Sequence, residues 1–132
     1  MAVQNPFYPV NSDLGALVTL TAASVGVASA NQMTLGTVGV QVRLNVTALT
    51  GTTPTLTVTL QGYDPASGTY FTILASAAIA AVGMTVLNVF PSATAVANGS
   101  VNAQMPQQWR ILTAIAGTTP AVTATVSACT LI

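Results

Sequence analysis

The sequence predicts an all-β fold, a single antiparallel β-sandwich or jelly roll of about eight strands, and three observations carry that expectation. Apolar and polar residues alternate with period two, above all from Val38 to Ala48 and from Leu56 to Gln61. Turn-forming residues recur roughly every eight to twelve positions, the spacing of short sequential strands. No segment reads as a convincing helix. At 132 residues the chain suits one domain, large enough to remove roughly two-thirds of its unfolded surface from water. The expected division is an extended N-terminal arm over 1–13 and a β-sandwich domain over 14–132.

The arm carries Pro6, Pro9, Asn5, Asn11 and Asp13 around Phe7 and Tyr8. Proline donates no ladder hydrogen bond, so an extended conformation is expected. Two adjacent aromatics on it either dock on a neighbouring surface or fold back on their own domain. One strand is expected near 16–22 and a weaker one around 25–30. From Val38 the pattern sharpens. Val38, Val40, Val42, Leu44, Val46 and Ala48 form one face, and Arg43 belongs to the outward one with Gln41 and Asn45.

Gly51-Thr52-Thr53-Pro54 reads as a turn between that strand and Leu56, Val58 and Leu60, because Gly supplies a positive φ and Pro fixes φ before the next strand. The same four residues return at 117–120, a spacing of 66 residues, half of the 132-residue chain. Two hairpins are therefore expected, 43–60 and 109–130. Their likeness reads either as equivalent places in two facing sheets or as a coincidence of turn chemistry. Asp64-Pro65-Ala66-Ser67-Gly68 is a turn by composition, returning through a strand at 69–74. Ala75 to Gly83 reads as a loop with room for one helical turn. Met84 to Phe90 is a strand stopped by Pro91, and 92–106 is a long connection with a short strand at 100–104.

Composition excludes several functions. Only Asp13, Arg43, Asp64 and Arg110 are ionic, 3% of residues against about 25% in an ordinary domain. Solubility then rests on hydroxyls and amides, and a net charge of zero favours association over repulsion, as in a chain that works inside an assembly. Two Arg far apart in sequence cannot build the basic stripe a nucleic-acid partner requires. The uncharged run Ile73 to Phe90 reaches bilayer-spanning length, yet it contains Gly83 and Asn88 and lacks flanking Lys or Arg, so no membrane partner is expected. Nothing basic precedes Leu14 to Ala30, so synthesis without export is expected.

Without His, Lys or Glu, the many hydroxyls have no general base beside them, and no catalytic residue is expected. One Cys cannot make a zinc site, and Asp13 with Asp64 would have to converge to hold calcium; no metal or cofactor is expected. Cys129 reads as a small half-buried residue of the last strand. Trp109 beside Arg110 has two readings. They form an interface anchor, since both residue types are enriched at binding hot spots, or Trp109 plugs one end of the core while Arg110 pairs with Asp64 or Asp13.

The segment Leu44-Asn-Val-Thr-Ala, then Gly51-Thr-Thr-Pro-Thr-Leu-Thr-Val-Thr-Leu-Gln61, Asp64 with Gly68, Tyr70 and Ile73, and Trp109-Arg110 ahead of Gly117-Thr-Thr-Pro, resembles small tailed-bacteriophage head proteins that decorate or cement the capsid. The likeness covers residues 38–127 and departs from many relatives at the Asp64 turn, where Ala66 and Ser67 stand in place of acidic residues. It implies a non-enzymatic virion protein made in the host cytoplasm, with the major capsid protein as partner and self-association as a dimer or trimer. On that reading Phe7 and Tyr8 are the first candidate anchors, and Trp109 and Arg110 the second. A phage tail or baseplate protein would share the composition, and a carbohydrate-binding sandwich would use Tyr63, Tyr70 and Trp109 as its platform.

Overall fold

The computed structural model describes residues 12–34 and 36–131. Seven strands make one mixed sheet: β1 (Ser12–Ala23), β2 (Gln32–Met33), β3 (Gly39–Asp64), β4 (Thr69–Ala75), β5 (Gly83–Phe90), β6 (Ser100–Asn102) and β7 (Gln108–Leu131). Along the sheet the order is β1-β7-β3-β5-β6, while β2 pairs with β7 and β4 with β3. All pairings are antiparallel except that of β5 with β6. No helix occurs among the described residues.

The sheet is built on a ribbon. β3 and β7 are 26 and 24 residues long, several times the usual strand, and they pair from Gly39 opposite Leu131 to Gly62 opposite Trp109. This corrects the expected hairpins. Residues 43–50 do not pair with 55–60; Thr50 lies opposite Ala121, and Thr55 opposite Ala116. A two-residue hairpin of the I′ type needs positive φ at consecutive central residues. Here the positive values fall at Gly51 (113°) and Thr53 (48°), with Thr52 between them. Each Gly-Thr-Thr-Pro therefore bulges the chain and lets it run on.

The two copies are partners across the ladder, Thr52 opposite Thr118, with register shifts on both sides. They match in detail: Gly117 and Thr119 have φ of 122° and 47°, and the hydroxyls of Thr53 and Thr119 each donate to the preceding carbonyl at 2.8 Å. A Cβ on Gly51 would stand 2.6 Å from the Thr119 carbonyl oxygen, and one on Gly117 would stand 2.8 Å from that of Thr53. Glycine is required at both places by the close approach of the opposite backbone. Pro54 and Pro120 are tolerated in central strands because they sit at these bulges. The repeat is thus a local twofold, with both copies adjacent.

On either side of this waist the alternation read from the sequence holds. Val40, Val42, Leu44 and Val46 on one half, and Leu56, Val58 and Leu60 on the other, are 2% exposed or less, and they belong to one hydrophobic cluster with Leu87, Trp109, Ile111 and Val126. The outward row is Gln41, Arg43 and Asn45, then Thr57, Thr59 and Gln61, all half-buried or exposed.

β1, β5 and β6 flank one half of the ribbon, and β2 and β4 the other. β1 begins two residues before the expected boundary, with Ser12 and Asp13 opposite Thr130 and Cys129. The weak strand expected at 25–30 reduces to a bridge between Ala28 and Leu112. Its ladder positions are taken partly by side chains: Thr113 Oγ1 accepts from the Val27 N–H at 2.8 Å, and Ser29 Oγ accepts from the Ile111 N–H at 2.9 Å. Ser76 does the same opposite β3, its hydroxyl accepting from the Val58 N–H at 3.0 Å. Hydroxyl groups of this kind compete with backbone carbonyls for N–H donors and so blunt regular strand formation.

The expected Asp64 turn forms. Gly68 N–H donates to the Asp64 carbonyl at 2.8 Å, and the carboxylate accepts from Ala66 N–H at 3.1 Å and Ser67 Oγ at 2.7 Å.

Candidate functional site

Two outward faces carry the polar chemistry, and each is centred on one arginine. On the half of the ribbon nearest the Asp64 turn, the outward row of β3 contributes Gln61 and Tyr63 and that of β7 contributes Arg110. β4 supplies Tyr70 directly opposite Tyr63. The two tyrosine rings have centroids 4.9 Å apart at 46°, a tilted pair of the kind ring quadrupoles favour. The Arg110 guanidinium lies 3.5 Å from the centroid of the Tyr70 ring, a cation–π contact. Its Nε donates to Gln61 Oε1 at 2.9 Å, and Tyr70 Oη donates to Asn31 Oδ1 at 2.7 Å. Cation, rings and amides hold one another in place, as a preorganised contact surface requires.

The second face lies on the other half. Arg43 Nε donates to Gln41 Oε1 at 3.0 Å and its Nη1 stands 3.4 Å from Asp13 Oδ2, while Gln41 Nε2 donates to Asn88 Oδ1 at 3.1 Å. This ion pair sits at the surface, where such pairs contribute about 0–1 kcal/mol. It fixes the position of Arg43 more than it stabilises the fold.

These contacts correct the expected pairing of Arg110 with Asp64 or Asp13. Asp13 is taken by Arg43, and Asp64 is turned into its own loop, where Ser67 and then the Ala66 N–H stabilise the carboxylate and lower its pKa below the ordinary 3.8.

The Trp109–Arg110 pair is divided by strand alternation. Arg110 faces outward, whereas Trp109 is 0% exposed within the core, so as an anchor Trp109 has no surface to offer; its Nε1 is buried without a hydrogen-bond partner among the described residues. Phe7 and Tyr8 lie outside the described residues. Sequence reasoning passed over Gln61 and Asn31. The signal for Gln61 was available, since period two carries the outward row from Thr59 through Gln61 to Tyr63. Asn31 gave none, because a loop 39 residues from Tyr70 brings it there.

The ionisable groups on the two faces are Asp13, Arg43, Tyr63, Tyr70 and Arg110, and each is in contact with a neighbouring side chain. The one thiol, Cys129, is buried at the far end of β7, and no cluster of three metal-ligating side chains occurs among the described residues. No described helix is long and apolar enough to cross a membrane. The faces present hydroxyls, amides, two tyrosines and two arginines that are already engaged.

Comparison with known proteins finds no matching family model, no matching curated protein and no matching solved structure.

Proposed function

We propose that this chain is a non-enzymatic structural protein of a bacteriophage virion that binds the outer surface of the assembled capsid and stabilises it. The major capsid protein is the proposed partner. The observation that carries the reading is the fate of the four ionic groups: Arg43 is held by Asp13 and Gln41, Arg110 by Gln61 and Tyr70, and Asp64 by its own turn. With every charge engaged within the chain, the outer faces are left to threonines, amides and tyrosines. Such a surface loses little on being packed against neighbours, because it carries only four ionic groups to desolvate and each keeps its contacts within the chain. Stabilisation would follow from mass action, since a chain that binds the assembled shell and not its free subunits shifts the equilibrium toward the shell.

The same proposal includes a two-layered sandwich, the ribbon doubling over at its Gly-Thr-Thr-Pro waist. Its support is physical. The inward rows of both halves are 2% exposed or less and share one cluster, and no described helix covers either. Each row needs a cover, and the other half is available to supply it.

The carbohydrate-binding reading loses its platform, because Trp109 is buried and Arg110 lies over Tyr70. The test of the capsid reading is co-sedimentation of the purified chain with phage heads that lack it. Binding at saturating, shell-like stoichiometry supports head decoration. Retention in the supernatant refutes it, and a low copy number on complete particles moves the chain to the tail or baseplate.

A further inference from the structure

Among the described residues the edge of the sheet at β5 is left open, and its chemistry is self-complementary. β6 covers β5 only from Asn88 to Phe90, opposite Ser100 to Asn102, so Gly83 to Leu87 pair with β3 on one side and with no described residue on the other. The direction of the free groups follows from the ladder. Asn88 N–H points away from β3, donating to the Gly99 carbonyl at 2.9 Å. Because backbone groups alternate sides along a strand, the N–H and C=O of Met84 and Val86 point the same way, outward along the open edge. Thr85 and Leu87 point inward, to Leu44 and Val42.

Met84 and Val86 also show their side chains, 60% and 40% exposed, with Val82 beside them at 62%. No residue from Val82 to Phe90 is charged. An exposed, apolar, uncharged edge with free backbone groups is a template for strand addition, and soluble proteins normally blunt such an edge with Lys, Pro or a bulge. The other long edge is blunted. β1 is broken by three register shifts and carries the exposed carboxylate of Asp13. On the edge of β4, the Ala75 carbonyl is capped by Asn98 Nδ2 at 3.1 Å.

We infer that the Gly83–Leu87 edge pairs with the same edge of a second copy of this chain, antiparallel about a twofold axis through Thr85. That register sets Met84 opposite Val86 of the second copy and Val86 opposite its Met84. Each is a hydrogen-bonded pair, so every outward N–H and C=O of these residues finds a partner. The contact is isologous, as a twofold requires. No charge opposes it: the cation nearest in the ladder is Arg43, opposite Val86, and Asp13 and Gln41 hold it. The start of β6 limits the ladder to these five positions, which places the contact among small interfaces that concentration governs. The inference is independent of the capsid reading, and each can fail while the other stands.

The experiment is sedimentation of the full chain up to about 1 mM, the weak end of specific association, joined to residue-resolved amide exchange at low and high concentration. Val86→Lys sets like charges across the axis without removing a β3 bond and is expected to weaken dimerisation about tenfold or more. Val25→Lys, exposed elsewhere, is expected to leave it unchanged. In the unaltered chain the amides of Met84 and Val86 should exchange more slowly as concentration rises, while those of Thr85 and Leu87 stay protected throughout. The inference is overturned by a monomer at every concentration, by a dimer that Val86→Lys leaves intact, or by Met84 and Val86 amides whose exchange ignores concentration.

Discussion

Replacing Gly51 with Ala, and separately Gly117 with Ala, tests the paired waist directly. Two costs act at each site. The φ values of 113° and 122° lie where L side chains are strained, a cost of about 1–3 kcal/mol. The added Cβ would also stand 2.6 Å from a backbone oxygen at position 51 and 2.8 Å at position 117. Backbone cannot swing aside as a long side chain can, so the two strands must separate locally and the total should reach about 2–4 kcal/mol. Gly68→Ala isolates the first cost, because its φ is 70° and a Cβ there meets nothing within 4 Å; it should lose about 1–2 kcal/mol. Equilibrium urea unfolding resolves these differences. With a slope of about 1–3 kcal/mol per molar urea, each waist substitution should lower the midpoint by about 1–2 M, clearly more than Gly68→Ala. Because the two glycines serve one junction, the double substitution should cost less than the sum, with a coupling of about 0.5 kcal/mol or more. If Gly51→Ala and Gly117→Ala each cost no more than Gly68→Ala and add independently, the two turns are not packed on each other and the reasoning fails.

Ser76→Ala removes the hydroxyl that accepts from the Val58 N–H and donates to the Ala77 carbonyl at 2.9 Å. It should destabilise by about 1–3 kcal/mol, the cost of an orphaned buried donor, and thermal unfolding of Ser76→Ala beside Ser76→Thr reads it, the hydroxyl of Thr recovering part of the loss. Asp64 gives a pH dependence of definite sign. Its pKa is lower folded than unfolded, so the turn's contribution is present above the ordinary value of 3.8 and is lost as pH falls through the lower folded value. Asp64→Asn should therefore flatten the acid limb of a plot of Tm against pH; an unchanged acid limb would show that the carboxylate does not hold the turn.

Which parts of this were legible in the sequence depends on the range over which each signal acts. Period two is local, and it placed Val40, Val42, Leu44, Leu56, Val58 and Leu60 in the core and Arg43 and Gln61 outside it. The Asp64 turn is equally local, since its carboxylate, its proline and its glycine act within five residues. Gly-Thr-Thr-Pro was misread for the same reason. Nothing within four residues distinguishes a chain reversal from a bulge that another bulge 66 residues away holds open. Trp109 and Arg110 look like one feature because they are adjacent, although alternation along β7 sends one into the core and the other onto Tyr70. The Asn31–Tyr70 contact and the open edge of β5 depend on strand order, which local pattern does not encode.

The internal likeness gains meaning from this pairing. Had the two Gly-Thr-Thr-Pro segments closed separate hairpins, each could drift alone, since a turn tolerates many sequences. Packed against each other, each glycine is required by the other strand's backbone, and it meets the carbonyl of the Thr at positive φ there, Thr119 for Gly51 and Thr53 for Gly117. A change in one copy alone breaks the fit. The central ladder that results joins residues far apart in sequence, from Gly39 with Leu131 to Gly62 with Trp109, so its closure entropy precedes most of its hydrogen bonds. The waist offsets this by fixing register at a single place. Since a slip of one residue would turn the whole inward row of β3 or β7 to solvent, two interlocked bulges specify the core of both halves at once.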